Sequence, residues 1–563
     1  MDSATLTVPK RSHLRGAFSA SRRIGRETVG PRCNGQDSFR VFCKDLLGRV
    51  GSLTTKSGSF QTPHMFPVVD PNLPIFSQDV FNGLGIRAIM TNAYLLKRGR
   101  SEADVPNVHK FLNFKETVAT DSGAYQILEY GKVGVDPEEI VRYQERIDTD
   151  IGVILDIPTG YRSGPARARW TVDETVRRAD KALAIRTRND ILWIGPIQGG
   201  IYVKEVARSA KQMARRDFAI YALGSPTQLM ESQRFELLID MIMATKRELS
   251  PSKPLHLFGA GHPALFPFLV AMGCDLFDSA AYALYARTDR YLTSEGTSDI
   301  REMEEFPCLC ETCRNATPRE LLRAGKGKRE YALSYHNLQA CFSELRRIRD
   351  AIRKGRLWDL MEQRAYSHPA LKRCLNRITR HAEELEASTP VVKPRGIFHF
   401  GSTSDARPEN LRHLSRIRRV IFPRRARLLL LPGRWRRPYR EDPRYRSTVS
   451  KFQEREHARI MFYSIPYGPV PLELDETYPI AQTESVEPED SSAYVTKAEI
   501  ISQFLRNLSP ERVVLVQDGR LGEAVGGELK TWLPRSRLAI VNGVGLRSDQ
   551  LGRIVDRKLS IQT

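Results

Sequence analysis

The chain has 563 residues, too many for a single hydrophobic core, so we expect two to four domains. Its 41% hydrophobic content excludes general disorder. The sequence contains no run of about 18 apolar residues, so it predicts no membrane-spanning helix. A formal net charge of +21 is typical of proteins that bind polyanions such as nucleic acid. Eight cysteines, three of them in one group, argue against a secreted disulfide scaffold and favour a cytoplasmic location.

The first 37 residues differ in composition from the rest of the chain. Residues 1–37 carry seven Lys and Arg against three acidic residues, without a sustained hydrophobic period. A transit peptide has a similar composition, but the amphipathic helix of such peptides is missing. We therefore predict a basic N-terminal tail, or residues read from an upstream start codon, and no catalytic residue there.

Beyond residue 38, short apolar runs alternate with segments of helical length. After an early hairpin over 39–42 and 52–55, the sequence predicts eight strands, over residues 65–69, 88–93, 117–122, 151–156, 192–198, 219–224, 255–259 and 274–279. Helices are predicted over 137–148, 166–188 and 227–249. Such alternation predicts a parallel sheet, and eight units predict an α/β fold, a (β/α)8 TIM barrel over 38–387. A doubly wound open sheet is the alternative.

Polar residues and glycines end six of the predicted strands. They are Asp121, Asp156, Gln198, Gly224, Gly259 and Asp278. In a TIM barrel these strand ends meet at the mouth that carries the active site. Carboxylates converging there suit general acid–base and covalent catalysis at a sugar carbon. Since any single Asp could equally cap the next helix, the hypothesis rests on the set.

Three cysteines within six residues, followed by a histidine, predict a metal site. Cys308, Cys310 and Cys313 precede His336, which we place near the start of a helix. Three thiolates and one imidazole form a closed, tetrahedral set typical of structural Zn²⁺. The alternative is a group of reduced core cysteines beside an unrelated histidine. The sequence therefore predicts a zinc-binding insertion over 308–336.

Six segments occur in the order in which a known family has them. They are Asp121-Ser-Gly-Ala-Tyr-Gln, Leu155-Asp-Ile-Pro-Thr, Ile197-Gln-Gly-Gly, Tyr221-Ala-Leu-Gly, His256-Leu-Phe-Gly-Ala-Gly-His-Pro and Cys274-Asp-Leu-Phe-Asp-Ser-Ala-Ala-Tyr. With the Cys-x-Cys-x₂-Cys…His group, they resemble the tRNA-guanine transglycosylase family over residues 39–370. The Phe-Asp-Ser-Ala-Ala-Tyr wording resembles the archaeal branch of that family.

The resemblance implies a pentosyltransferase that exchanges a base in tRNA without cutting the strand. Asp278 would be the nucleophile at C1′ of the target nucleotide and Asp121 the general acid and base. The residues implied to bind the base are Ser122, Asp156, Gln198, Gly199 and Gly224. The archaeal branch would replace guanine 15 of the D arm with 7-cyano-7-deazaguanine (preQ0), towards archaeosine. One structural Zn²⁺ per subunit and a homodimer are also implied.

Downstream of the metal segment the composition changes. Residues 337–387 read as helical, and a Pro-rich linker over 389–394 follows. Residues 391–460 hold 19 Lys and Arg against 6 Asp and Glu, interleaved with Phe422, Trp435 and Tyr439. Arginines beside aromatics suit phosphate contacts and base stacking, although a solvated basic face has the same composition. We predict α+β accessory domains: a tRNA-binding domain over 391–500 and a small α/β segment over 501–563.

The accessory region raises three alternatives. It resembles that of archaeosine synthase, an amidine-forming paralogue, but the Cys, Lys, Ser and His of that enzyme's motif are here Gly433, Arg437, Asp442 and Tyr445. Because arginine stays protonated, it cannot act as the nucleophilic amine, and amidine synthesis is disfavoured. A queuine-type enzyme acting on anticodons and a catalytically idle tRNA-binding paralogue are the others. No PUA domain is recognisable, so a separate PUA-domain protein is a predicted partner.

Overall fold

A computed structural model describes residues 38–73, 75–98, 105–124, 136–420, 426–434, 436–453, 455, 458–488 and 490–560. The predicted tail over 1–37 lies outside these residues, as do Phe422 and Trp435 of the predicted RNA-binding segment. Within the described ranges, no helix has the length and hydropathy needed to cross a membrane.

A small antiparallel sheet closes the bottom of the barrel. Its strands are β1 (Phe39–Asp45), β2 (Gly48–Thr55) and β3 (Gly58–Thr62). This confirms the predicted hairpin and adds a third strand to it. The Ser57 hydroxyl donates to Asp150 at 2.6 Å, just before a barrel strand begins. Leu53 and Phe60 pack in one cluster with the apolar side chains inside the barrel.

The eight predicted strands form the barrel. They are β4 (His64–Pro67), β5 (Ala88–Asn92), β6 (Thr117–Asp121), β7 (Ile151–Val153), β8 (Leu192–Ile197), β9 (Ile220–Leu223), β10 (Leu255–Leu257) and β11 (Leu276–Ser279). All neighbours are parallel, in the order β4-β11-β10-β9-β8-β7-β6-β5. A parallel bridge between Val68 and Met90 joins the two ends of this order. The barrel prediction is therefore confirmed, and the open-sheet alternative is wrong.

Helices surround the strands, as the alternating pattern predicts. They are Gln78–Leu84, Ala93–Lys97, Val108–Leu112, Pro137–Arg146, Pro165–Ile185, Val203–Met213, Thr227–Glu231, Phe235–Glu248, Phe266–Ala271 and Ala281–Arg287. The single helix predicted over 227–249 is in fact two helices. Gln233, between them, has a φ of 54°, a left-handed conformation that an α-helix does not continue through.

The metal segment follows the last barrel helix. It contains the hairpin of β12 (Arg290–Leu292) and β13 (Thr297–Asp299) and the helices Glu311–Asn315, Pro318–Arg323 and Lys326–Lys354. His336 lies within the last of these, ten residues after its start, so our placement of His336 at a helix start is wrong. The helices Leu357–Ala365, Pro369–Ile378 and Ala382–Ser388 then confirm the helical prediction for 337–387.

The accessory region is built on a second, mostly parallel sheet. Its strands are β15 (Arg427–Gly433), β16 (Ala458–Ser464), β17 (Gly468–Pro471), β19 (Arg512–Gln517) and β20 (Leu538–Asn542), and β14 (Ile397–His399) pairs separately with β18 (Thr483–Ser485). Its helices are Pro408–Ile417, Arg446–Phe452, Ser491–Leu508, Gly519–Lys530 and Ser548–Ser560. The sheet takes strands from both sides of residue 500, and one helix crosses that residue. β15 lies within the strongly basic segment 391–460 and β16 begins at its end, and neither strand was predicted from the sequence.

Buried ion pairs join the accessory region to the barrel. Lys393 contacts Asp45 of β1 at 2.7 Å and also Glu409, and Arg407 contacts Asp359. All five side chains are almost fully buried. Removing one partner from such a group leaves a buried charge unpaired, at a cost of about 3–5 kcal/mol. Part of the basic excess of this region therefore stabilises the fold and is not available to RNA.

Candidate active site

A cavity of about 1130 Å³ opens at the C-terminal ends of the barrel strands. Its lining includes Asp121, Asp156, Gln198, Gly224 and Asp278, each of which follows or ends a different strand. The barrel thus brings together the side chains that the strand-end pattern selected. Burial of carboxyl groups in such a cavity disfavours their charged form, and repulsion from neighbouring carboxylates can add to that effect.

Asp278 lies on β11, and one of its carboxylate oxygens is fixed by two hydrogen bonds. Its Oδ1 accepts hydrogen bonds from His256 Nε2 at 2.8 Å and from the Gly259 backbone N–H at 3.1 Å. The side chain is 16% exposed, and it lines the cavity. Among the described residues, none donates a hydrogen bond to Oδ2. One oxygen is therefore fixed and the other is left for chemistry.

Asp121, at the end of β6, is held by the neighbouring strand. Its Oδ2 accepts from Asn92 Nδ2 at 3.0 Å and from the Gly123 backbone N–H at 3.1 Å. Burial, and then the negative charges of Asp278 and Asp156, raise the pKa of Asp121 to about 7. A carboxyl group with a pKa near neutrality can both donate and accept a proton during one catalytic cycle.

Asp156 and Gln198 form a hydrogen-bonded pair on the cavity wall. Gln198 Nε2 donates to Asp156 Oδ2, and burial raises the pKa of Asp156 to about 6. Gln198 Oε1 accepts from the Thr159 backbone N–H and from the Ser225 hydroxyl, each at 2.9 Å. Because two donors face Oε1, the amide is oriented with its nitrogen towards Asp156. The wall therefore offers a carboxylate acceptor beside an amide donor.

Three smaller residues of the predicted base-binding set contribute space or backbone contacts. Gly224 lines the cavity, but its N–H donates to the Ile197 carbonyl at 2.9 Å. A Cβ at Gly224 would lie 2.1 Å from Gln198 Nε2, so the glycine leaves room for that amide. Ser122 and Gly199 are not among the lining residues. The Ser122 hydroxyl donates to Ile154 O at 3.2 Å, and Gly199, at a φ of 136°, lies against the backbone of the helix Val203–Met213.

Sequence reasoning missed two residues of this site. Asn92 ends β5 and accepts a hydrogen bond from the Leu95 N–H, so it looks like an ordinary helix cap. Its position at a strand end was a signal that could have selected it together with Asp121. His256 lies in the middle of β10 with 0% exposure, and nothing in its spacing separates it from a core residue.

The predicted metal ligands converge. The ligand atoms of Cys308, Cys310, Cys313 and His336 all lie within 4.8 Å of one another, so the group can hold a metal ion. His336 Nε2 donates to the Leu292 carbonyl at 2.9 Å, which leaves Nδ1 as the ligand atom. The Tyr291 ring stacks on the imidazole at 3.7 Å between centroids.

A short chain of contacts connects the metal group with the strand that carries Asp278. Asn337, next to His336, donates to the Tyr282 carbonyl at 3.1 Å. Tyr282 belongs to the helix Ala281–Arg287, which begins directly after β11, and its hydroxyl donates to the Val68 carbonyl at 3.0 Å. The long helix that carries His336 is thus fixed to the segment that follows the candidate nucleophile.

Comparison with known proteins identifies the family. A family model described as "Queuine tRNA-ribosyltransferase" matches residues 43–370. The chain is 41% identical to a "tRNA-guanine(15) transglycosylase" of Pyrobaculum aerophilum over 80% of this chain and 90% of that relative. A relative of the same description from Saccharolobus solfataricus is 36% identical over 86% of this chain and 97% of its own length. The chain belongs to the tRNA-guanine transglycosylase family.

Membership of this family makes the chain a glycosyltransferase that acts on a pentosyl group. A third relative, from Methanocaldococcus jannaschii and with the same description, is 37% identical over 83% of this chain and 71% of that protein. The match to the family model ends at residue 370, whereas the matches to the first two relatives cover 80% and 86% of the chain and therefore include part of the accessory region. The resemblance inferred from six motifs is therefore confirmed.

Proposed function

We propose that the enzyme exchanges guanine 15 in the D arm of tRNA for preQ0 through a covalent bond between Asp278 and the ribose. The observation that carries this proposal is the meeting of Asp278, Asp121 and Asp156 around one cavity in a chain of this family. The description of the relatives as tRNA-guanine(15) transglycosylases supports the position. The Phe-Asp-Ser-Ala-Ala-Tyr motif, which resembles that of the archaeal branch, supports preQ0 as the incoming base.

In the first half-reaction, Asp278 Oδ2 attacks C1′ of the target nucleotide. The C1′–N9 bond breaks, its electron pair leaves with guanine, and protonated Asp121 gives the departing ring a proton. A carboxylate suits this role because the C1′ centre acquires oxocarbenium character, as in retaining glycosidases. The target base must first leave its stack in the folded tRNA, at a cost of a few kcal/mol. Phosphate contacts outside the cavity would offset this cost.

In the second half-reaction, the incoming base restores the glycosidic bond. Its N9 attacks C1′, the bond from C1′ to Asp278 Oδ2 breaks, and the electron pair returns to the carboxylate. The Asp121 carboxylate accepts the N9 proton, so the residue is ready for another cycle. No strand cleavage is needed, because only the bond at C1′ breaks and re-forms, while the phosphodiester bonds at O3′ and O5′ stay intact.

The Asp156–Gln198 pair would select a guanine-like edge. Asp156 accepts from the N1 and exocyclic N–H donors, while the second proton of the Gln198 amide points to O6. An adenine-like base has a donor at that position and would leave the amide unsatisfied, and a lost polar match of this kind discriminates strongly. Ser122, Gly199 and Gly224 would act here through packing and space, because the Ser122 hydroxyl and the N–H groups of the two glycines donate to other residues.

We propose that RNA is gripped by an exposed patch beside the cavity. The patch comprises Arg162, Arg167, Trp170 and Lys204, on the loop and helix after β7 and the helix after β8. Trp170 is 47% exposed, with the Arg167 guanidinium 4.2 Å from its ring centroid. The next residue along the helix, Thr171, is hydrogen-bonded at 2.6 Å to Thr159, which lines the cavity. A cationic surface with a stacking ring fits unpaired RNA.

Replacing Trp170 with Ala is expected to raise the KM for tRNA about 10-fold, because base stacking contributes about 1–3 kcal/mol. The KM for the free base should stay unchanged, since the ring lies outside the cavity. Phe42, 55% exposed on β1 at the opposite end of the barrel, provides the matched control in Phe42→Ala. An equal effect of the two substitutions on the KM for tRNA would remove Trp170 from the RNA-binding surface.

We propose that the metal is one Zn²⁺ per subunit with a structural role. Three thiolates and one imidazole leave no open position for substrate. Removing the metal, or substituting Cys310→Ser, is expected to lower Tm by more than about 5 °C and to lower activity in parallel, because structural zinc contributes many kcal/mol to folding. Differential scanning calorimetry with metal analysis checks this. An unchanged Tm in a metal-free preparation would contradict the structural role.

The accessory region is proposed as an RNA-binding unit that spans 391–560, with both predicted segments in one sheet. Arg416, Arg418 and Arg419, at the end of the helix Pro408–Ile417, are exposed and have no ion pair with a described residue. Arg437, Asp442 and Tyr445, at the paralogue's motif positions, instead contact Ser485, Arg444 and Asp518. A homodimer, a separate PUA-domain protein and a cytoplasmic location remain proposals alongside this one.

A base-exchange assay tests the proposed function. Unmodified tRNA is incubated with the enzyme and either radiolabelled guanine or preQ0, and the modified nucleotide is located by nuclease mapping. Label at position 15 supports the proposal. Label in the anticodon loop would establish the queuine-type alternative, and no exchange by the folded enzyme would establish the idle paralogue.

A further inference from the structure

We infer that His256 is the positioning residue of the reaction: it holds Oδ1 of Asp278, so that Oδ2 alone faces the ribose. The inference rests on the proposed function, in which Asp278 is the nucleophile. It is carried by the 2.8 Å contact between His256 Nε2 and Asp278 Oδ1, made by a side chain with no solvent exposure. The Gly259 N–H, at 3.1 Å from the same oxygen, completes a two-donor cradle.

The contact with Asp278 is the one hydrogen bond that the His256 side chain forms with a described residue. The ring lies 4.9 Å from the Phe258 ring and 5.7 Å from the Phe66 ring, measured between centroids. Its Nδ1 is buried, and no described residue forms a hydrogen bond with it. A proton on Nδ1 would be a buried, unsatisfied donor, whereas a proton on Nε2 meets the carboxylate. The aromatic rings restrict the imidazole, and the imidazole in turn restricts the carboxylate.

The cradle acts on both half-reactions through Asp278. When Oδ2 attacks C1′ and the C1′–N9 bond breaks, Oδ1 becomes the carbonyl oxygen of the ribosyl ester and keeps both donors. When N9 of the incoming base attacks C1′, the C1′–Oδ2 bond breaks and its electron pair returns to the carboxylate. The charge that grows there is shared with Oδ1, where the two N–H groups stabilise it. His256 itself neither gains nor loses a proton.

A second buried histidine provides an internal comparison. His64 lies on β4 in the same barrel, with its ring 4.7 Å from that of Phe60 and its Nε2 3.1 Å from the Ala88 carbonyl. It does not line the cavity, and it forms no hydrogen bond or ion pair with a carboxylate of the described residues. His64 therefore shares the burial and aromatic packing of His256 without its contact to Asp278. A purely structural role would make substitutions at the two positions equivalent.

The experiment compares His256→Met with His256→Gln, two side chains of similar length that differ in an N–H donor, beside the control His64→Met. We expect the Met variant at 256 to lose about 10²-fold in kcat, the typical effect of removing one such donor. The KM values for tRNA and guanine should change less than about 3-fold, since the substrate contacts remain. The Gln variant should recover at least about 10-fold of the loss, and His64→Met should keep kcat while lowering Tm.

The two half-reactions separate the outcomes further. Adduct formation from tRNA and its chase with guanine should both be slow in His256→Met, because Oδ2 is no longer held in place, and the chase should be slowed more, because charge returns to the carboxylate only in that step. The inference is overturned if His256→Met and His64→Met have the same kcat, or if Met and Gln at 256 are equally impaired. Should His256→Met fail to fold, His256→Gln at wild-type Tm with kcat reduced 10²-fold or more would also overturn it. Absence of exchange by the wild-type enzyme would instead count against the proposed function itself.

Discussion

Substituting Asp278→Asn is expected to reduce guanine exchange by about 10⁴-fold or more and to abolish the covalent tRNA adduct. The amide has nearly the shape of the carboxylate, and its oxygen can still accept from His256 and Gly259, as Oδ1 does now. It lacks the negative charge needed to attack C1′. Fold and substrate binding should therefore survive while chemistry stops. Exchange of labelled guanine into tRNA measures the chemistry, and retention of tRNA on filters measures substrate binding.

The matched control for this substitution is Asp217→Asn. Asp217 lies just before β9, at the end of the barrel away from the cavity, and its side chain is 83% exposed. The Asp217→Asn substitution removes the same charge without contacting the site, so the rate of guanine exchange should be unchanged. An Asp278→Asn variant that keeps more than about one hundredth of wild-type exchange would disprove the nucleophile assignment, given the losses typical of removed nucleophiles.

Opposite pH dependences are expected for the two half-reactions, because Asp121 must act as an acid in one and as a base in the other. Its pKa is about 7. Adduct formation needs the protonated form and should slow as the pH rises through 7, whereas the guanine chase needs the carboxylate and should accelerate. Rapid-quench measurements between pH 6 and pH 8.5 resolve the two steps.

The Asp121→Asn variant should lose the pH dependence of both half-reactions, and its exchange rate should fall by about 10²–10⁴-fold. It should also be more stable than the wild type at pH 8. The folded pKa lies above the unfolded value, so the folded protein binds the proton more tightly, and ionisation between about pH 4 and pH 7 destabilises it. The Tm advantage of the variant should therefore be largest at pH 8 and shrink towards pH 5. Parallel pH profiles for variant and wild type would contradict the acid–base role.

The barrel was predictable because its information is local. Each strand is a short apolar run, six of the predicted strands end in a polar residue or glycine, and the fold itself requires these ends to meet. Asp121, Asp156, Gln198 and Asp278 could be selected on that basis, and the structure places all four around one cavity. The four metal ligands were predictable for a similar reason, since three of them lie within six residues.

What the sequence did not reveal depends on contacts between distant segments. The bond between His256 and Asp278 joins neighbouring strands, and a histidine in mid-strand has no periodicity that distinguishes it from a core residue. The wrong helix boundary near His336 arose because a basic first turn, Lys326 to Arg329, does not show the apolar spacing of the later turns. In the accessory region, charge was taken for an RNA-binding surface where β15 and β16 form the centre of a sheet.

The central claim is the covalent bond at Asp278, and peptide mapping of the trapped adduct tests it most directly. Enzyme incubated with tRNA but no free base is denatured, digested with nuclease and trypsin, and analysed by mass spectrometry. Cleavage after Lys and Arg, but not before Pro, places Asp278, Asp121 and Asp156 in three different peptides, spanning 248–287, 116–132 and 147–162. Our account predicts the ribosyl nucleotide on the 248–287 peptide, at Asp278. The same mass on either of the other two peptides would contradict it.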